Sequence, residues 1–204
     1  MANSNVAFGL KPINTAGSTP ATQGTNAYFI ASNASAIFQG SPVKCVNGGE
    51  IAIGSATGDT VAFVGVFAGC EYVSSETGKK VFSNYWPGSG ANTDFDIIGH
   101  VYDNPMQRFV IATDATFTNQ ATARAAIFEN TQLDSGASGS TTTGNSSAKM
   151  DVATLDSSNA SLPLKIVGVQ TDVDNEDYAA AGLPVIVMIN NHALLQADSE
   201  AAIS

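Results

Sequence analysis

Gly65 to Gly88 reads GVFAGCEYVSSETGKKVFSNYWPG. Two apolar runs carrying aromatic and β-branched residues flank a polar turn around Gly78, and the second run stops at Tyr85-Trp86-Pro87. Short runs of this composition, bounded by turn residues, read as strands, because branched and aromatic side chains suit a pleated, half-buried surface. The stretch predicts a strand-turn-strand unit. It holds no nucleophile set against a base and no metal-ligand spacing, so it reads as scaffold and surface.

The same pattern extends in both directions. AYFIA, SPVKCV, EIAIG, TVAFVGVF, FDIIGHVY and RFVIAT follow one another at short intervals, with turn signals at Asn47-Gly48-Gly49, Thr57-Gly58-Asp59 and Asp103-Asn104-Pro105. A last unit contains residues 150–155, LPLKIVGVQ and LPVIVMINNHALL, with Pro163 and Pro184 at strand beginnings, where a missing amide costs least. The strands follow one another without helical crossovers, and their connections are too short for parallel pairing. The expectation is an all-β fold, an antiparallel β-barrel or β-sandwich, with a jelly-roll arrangement among the alternatives.

Three segments break this pattern. Residues 1–26 are polar and small apart from Phe8, Leu10 and Ile13, and Pro12 and Pro20 discourage regular structure. They predict an extended N-terminal arm that straps a neighbour through those three apolar anchors, followed by one β-rich domain over 27–204. Residues 118–133 are Ala-rich, with apolar positions at Ala123, Ala126, Ile127 and Phe128, and predict one short helix with Thr118 as its N-cap. Residues 134–148, DSGASGSTTTGNSSA, predict a flexible surface loop.

Composition narrows the function classes. Charged residues make up 13% and apolar ones 44%, and eighteen acidic against eight basic residues give a net charge of −10. Binding to phosphate backbones or anionic membranes depends on Lys and Arg, so neither nucleic acid nor membrane is an expected partner. Cys45 and Cys70 are the two cysteines, either small buried residues or a disulfide between neighbouring strands. The N-terminus has no basic segment leading into an apolar run, which predicts a protein made and kept in a cytoplasm.

No chemistry stands out. The two histidines, His100 and His192, lie in strand-like runs with no GxSxG nearby, and the scattered Asp residues occupy turns, where they bond the backbone. QTDVDNEDY begins like a calcium loop, but its sixth position is Asp177 instead of Gly and its twelfth is Leu183 instead of Glu, which excludes an EF-hand. Gly-containing stretches such as GSATGD lack the following Lys of a phosphate cradle. No enzymatic activity, cofactor or metal is expected. Tyr85 and Trp86 read as core or interface anchors.

The start MANSNVAFGLKPI, the segment GVFAGCEY followed by FSNYWP, the loop GSTTTGNSS followed by MDV, and the late KIVGV, DVDNED and VMINNH together resemble structural proteins of tailed bacteriophages, in particular head decoration or cement proteins. The resemblance spans most of the chain. It implies a non-enzymatic virion protein, assembled in the host bacterial cytoplasm, that docks on the outside of the head and bridges major capsid protein subunits as a homotrimer or homodimer. Phe8, Leu10 and Ile13 would then be arm anchors, with Tyr85 and Trp86 as further partner contacts. A tail-associated or carbohydrate-binding β-module is the alternative.

Overall fold

The computed structural model describes residues 3–17, 24–54, 62–134, 138–170 and 176–195. In chain order the strands are β1 (Lys11–Thr15), β2 (Asn26–Ile30), β3 (Pro42–Val46), β4 (Glu50–Ile53), β5 (Gly65–Val73) and β6 (Lys80–Ser83). They continue with β7 (Ile97–Tyr102), β8 (Gln107–Ala112), β9 (Asn130–Thr131), β10 (Leu164–Val169) and β11 (Pro184–Ile189). One helix, α1 (Gln120–Ala125), and one 3₁₀ turn, Val152–Thr154, complete the set among the described residues.

β5 and β6 form the expected hairpin, registered from Cys70 opposite Ser83 to Val73 opposite Lys80. β5 is also the hinge of the architecture. Successive side chains of a strand point to opposite faces. Phe67 enters one core with Val43, Ile97 and Val101, while Val66 enters another with Phe109, Ile111 and Val187, and both are fully buried. A strand covered on both faces has no polar face to show, which is why this run is almost continuously apolar.

The first core fills a closed ring of five strands. β3 pairs with β4, β4 with β2, β2 with β7, β7 with β5, and β5 returns to β3, while β6 lies outside the ring on the far half of β5. The β2–β4 pair is parallel, against the expectation that short connections leave only antiparallel pairs, because β3 intervenes and returns the chain to β2 in the same direction; the other ring pairs are antiparallel. This is a small five-stranded barrel packed with side chains, not the eight-stranded double sheet of a jelly roll. The ring closes tightly at Gly65, where an added Cβ would run into the backbone carbonyl of Tyr102. β7 shows the expected alternation, with Ile97, Gly99 and Val101 inward and Ile98, His100 and Tyr102 less buried.

The second core lies against an antiparallel sheet ordered β1-β8-β11-β10-β9. Its apolar residues Phe109, Ile111, Leu164, Ile166, Val185 and Val187 meet Leu133, Met150, Ala123 and the barrel's Val66 and Phe63. Barrel and sheet thus share a buried layer instead of standing apart as separate units.

Three further expectations need correction. The predicted arm is part of the chain's own body: Lys11 pairs with Val110 and Pro12 with Phe109, so β1 is an edge strand of the second sheet. A Pro is tolerated there because an edge strand has one unpaired side. The helix is shorter than 118–133 and starts one residue later: Asn119 is the N-cap, and its Oδ1 accepts from Thr122 N at 3.0 Å while Thr122 Oγ1 accepts from Asn119 N at 3.3 Å. It ends at Ala125 because the chain turns, with Phe128 at φ 79°, to place Phe128 N on Ile166 O (2.8 Å) and to pair β9 with β10. The described part of the Ser/Thr/Gly loop, 138–148, is stitched into the fold, with Gln39 N donating to Gly144 O (2.9 Å), Ser146 N to Gln39 O (2.9 Å), and Ala148 fully buried. The turn at Thr57-Gly58-Asp59 and the carboxylates of Asp172 and Asp174 lie outside the described residues.

Candidate functional site

The five residues singled out from sequence fall into two groups that residues 37–40 connect. The first follows the chain start. Leu10 N donates to Gly40 O at 2.9 Å, and Gly9 holds φ at 69°, a left-handed conformation that only Gly adopts without strain. An added Cβ on Gly9 would sit 2.7 Å from both Gly40 O and Ser146 Cβ. The backbone can pass this close only without a side chain, and the passage fixes what its neighbours do. Leu10 turns into the second core and is 1% exposed, so it anchors the segment to its own chain. Phe8 is half-buried with Lys11 Nζ 4.6 Å above its ring, and Ile13 remains 43% exposed.

Beside this segment runs a groove of about 620 Å³ lined by Val6, Phe8, Ile13, Val110, Gln170 and Pro184. Val6 is exposed in it, so two large apolar side chains of the chain start, Val6 and Ile13, face solvent. A smaller recess of about 300 Å³ shares Phe8, Lys11, Pro12 and Asn145 and reaches Leu10 and Tyr102.

The second group lies on the chain just after β6. Trp86 is fully buried in the barrel core, its Nε1–H donating to Ala34 O at 3.1 Å and its ring meeting Tyr72 edge to face at 5.3 Å. Its backbone exchanges two hydrogen bonds with Ile37. Trp86 is therefore a core residue and has no surface to offer a partner. Tyr85 is half-buried and stacks on Phe38, with centroids 5.7 Å apart and planes 5° from parallel. Residues 37–40 join the two groups, since Ile37 bridges to Trp86, Phe38 stacks on Tyr85, and Gly40 carries Leu10.

The cysteines do not pair. Pro42 stands opposite Val66 and Val43 opposite Gly65, so β3 meets the start of β5, while Cys70 lies ~15 Å or more further along the strand. Both thiols are free, and burial raises both pKa values, that of Cys70 to about 12.

A polar cluster that sequence reading missed sits where β2 and β7 meet. Asp103 is 9% exposed and accepts from Asn26 Nδ2 at 2.9 and 2.8 Å, one bond to each oxygen, and from the Tyr28 hydroxyl at 2.6 Å. Burial first, and then the neighbouring carboxylate, hold the Tyr28 hydroxyl protonated far above its ordinary range. His192, 1% exposed, lies close to Asp103. Its Nδ1 accepts from Leu194 N at 3.2 Å, which puts the proton on Nε2. Burial lowers the His192 pKa, with Asp103 partly opposing the shift. The cluster is built to hold a carboxylate in place by neutral donors. Asp103 and Asn26 are ordinary turn-type residues in sequence, so no local signal marks them.

Also missed is a row of side chains across the outside of the barrel. Register places Glu50 beside Phe29, Phe29 beside Ile98, Ile98 beside Glu71 and Glu71 beside Phe82. Phe29 is 49% and Phe82 73% exposed. Lys80 pairs with Glu71 at 2.9 Å and lies 5.6 Å from the Phe82 ring centroid. The alternation within each strand predicts one outward face, but which strands lie side by side becomes known only from the ring order.

Among the described residues no group of three or more His, Cys, Asp and Glu side chains is placed to hold a metal ion, and no helix is long and apolar enough to cross a membrane. Comparison with protein families, with curated proteins and with solved structures finds no match to this chain.

Proposed function

We propose that this chain is a non-enzymatic structural protein of a phage particle that docks on the outer face of the head and bridges neighbouring major capsid protein subunits. The observation that carries the reading is the exposure of large apolar side chains on ordered, well-tied backbone: Val6 and Ile13 along the chain start, and Phe29, Phe82 and Phe95 on the barrel. Side chains of this size held on rigid elements lose little further entropy on docking, so they suit a surface that must fit a repeating lattice. The segments that resemble decoration proteins support the reading by their placement: residues 4–13 of the first line the groove, and GSTTTGNSS pairs with Gln39, next to the Gly40 that carries Leu10.

In this reading the arm acts as part of a rigid docking face instead of a free strap, and the chain works as a homotrimer or homodimer at symmetric positions on the shell. Many copies, each with a modest interface, stabilise the lattice by mass action. A net charge of −10 keeps such an apolar surface soluble before docking and suits a position away from packaged DNA.

The test is cryo-electron microscopy of the parent particle with a copy count by quantitative mass spectrometry. Copies on the outer shell at lattice-scale number are expected. A handful of copies, or a position inside the shell or on the tail, would overturn the proposal.

A further inference from the structure

At the Glu50 end of the outer row the barrel wall opens into a cleft of about 350 Å³ lined by Phe29, Ser32, Glu50, Phe95 and Asp96. Two of these are aromatic rings that folding leaves 49% and 55% exposed, Phe29 and Phe95. Two are carboxylates. Neither Glu50 nor Asp96 has a cationic partner among the described residues, in contrast to Glu71 at the other end of the row, which Lys80 neutralises. Glu50 lies over the β3–β4 turn, its Oε2 3.8 Å from where a Cβ on Gly48 would stand, which puts its charge at the rim of the cleft.

We propose that this cleft receives an arginine side chain carried on an extended segment of a partner protein, whose apolar residues then lie along Phe29, Ile98 and Phe82. A guanidinium is planar and weakly hydrated, so it can stack on an aromatic face while donating in its own plane to a carboxylate, and two rings with two carboxylates around one cleft supply both contacts. The row supplies the rest of the footprint, since cross-strand neighbours on one face stand ~5 Å apart: Phe29 adjoins Ile98, and Phe82 follows beyond the neutralised Glu71–Lys80 pair. Charge decides among the possible occupants. A second copy of a chain with a net charge of −10 would bring mostly like charge to this rim, whereas a basic segment brings the opposite sign. A glycan would use the rings but would leave two unpaired carboxylates without a counter-charge.

The inference does not depend on the virion reading, because it concerns the free chain. The probe is the peptide acetyl-Leu-Arg-Leu-amide, titrated into the isotope-labelled full chain and followed by amide chemical shifts, with a citrulline peptide of the same length and maltohexaose as comparisons. Expected are saturable shifts centred on Phe29, Glu50, Phe95 and Asp96, lost with citrulline and weakened by salt. Phe95→Ala and Glu50→Gln should each weaken binding by roughly fivefold or more. Both positions are solvent-facing, and an unchanged melting temperature confirms that each variant folds. Shifts of equal size with citrulline, shifts elsewhere on the surface, binding of maltohexaose in place of the peptide, or no saturable shift at all would each overturn the proposal.

Discussion

Replacing Trp86 by Ala should destabilise the free chain severely and do so through the barrel core. The indole is fully buried, packs edge to face on Tyr72 at 5.3 Å, and donates from Nε1 to Ala34 O at 3.1 Å. Emptying a buried aromatic site costs ~3–5 kcal/mol, because the surrounding side chains collapse only partly into the space. The Ala34 carbonyl also loses its donor, but that cost overlaps with the cavity term and is not added to it. A domain of this length shifts its melting temperature by ~2–4 °C per kcal/mol, so a fall of roughly 6–20 °C is expected. Trp86→Phe separates the contributions, since it keeps most of the ring and removes the N–H, and it should cost ~1–2 kcal/mol. Thermal unfolding of the purified variants, followed by circular dichroism, reads both. A Trp86→Ala melting temperature within ~2 °C of the parent protein would refute the assignment of Trp86 to the core.

Other substitutions and conditions test the remaining elements. Gly9→Ala forces a left-handed conformation on a residue with a Cβ and meets Gly40 O at 2.7 Å, so it should lose at least ~1–2 kcal/mol and expose the chain start to limited proteolysis ahead of β1. His192 has a folded-state pKa below its unfolded value of about 6.5, so the unfolded state binds the extra proton first. Its contribution to stability is complete above about pH 6.5, is lost as pH falls below that value, and levels off beneath the folded pKa; His192→Gln should flatten this limb of a denaturation series. Burial of Cys70, with its pKa near 12, leaves about a thousandfold less thiolate than an ordinary thiol, so it should react with a thiol reagent only on unfolding, and a non-reducing gel should show no internal bridge. Tyr28→Phe should destabilise the chain by ~1–3 kcal/mol in a urea titration, because the buried Asp103 carboxylate loses its shortest donor.

Local signals recovered the strands well. GVFAGCEYV, IIGHVY and PVIVMI each appear as strands within a residue or two of their apolar runs, because composition and flanking turns act over a few residues. The partnerships between strands were not legible. Nothing in NAYFI or EIAI indicates that β2 and β4 would lie parallel, since that pairing depends on how the ring closes through β5. The arm looked unstructured because Pro12 and the small polar residues carry no strand signal, and β8 supplies the partner from almost a hundred residues away. The Ser/Thr/Gly segment reads as a free loop for the same reason, since composition does not show that Gln39 will pair with it or that its hydroxyls will bond back onto it, as Ser147 Oγ does to Ser138 O at 2.8 Å. Of the site residues, Phe8 stays half-buried and Ile13 exposed, Leu10 and Trp86 are drawn into the core by their size, and the exposure of Phe29, Phe82 and Phe95 is hidden from sequence because it depends on register.

The tie at the chain start has a consequence in time. Asn3 Nδ2 donates to Asp177 O at 2.7 Å and to Ala180 O at 3.2 Å, and Asn3 Oδ1 accepts from Asp177 N at 2.9 Å, a connection across 174 residues. A nascent chain growing at about 5–20 residues per second needs roughly 10–35 s to make that length. During this interval the barrel strands, all contained between Asn26 and Tyr102, can close on the ribosome, while β1 waits without a partner until β8 emerges. The order of synthesis therefore separates the two halves of the fold, with barrel first and the first residues last, and the exposed apolar side chains Val6 and Ile13 spend that wait outside any folded surface.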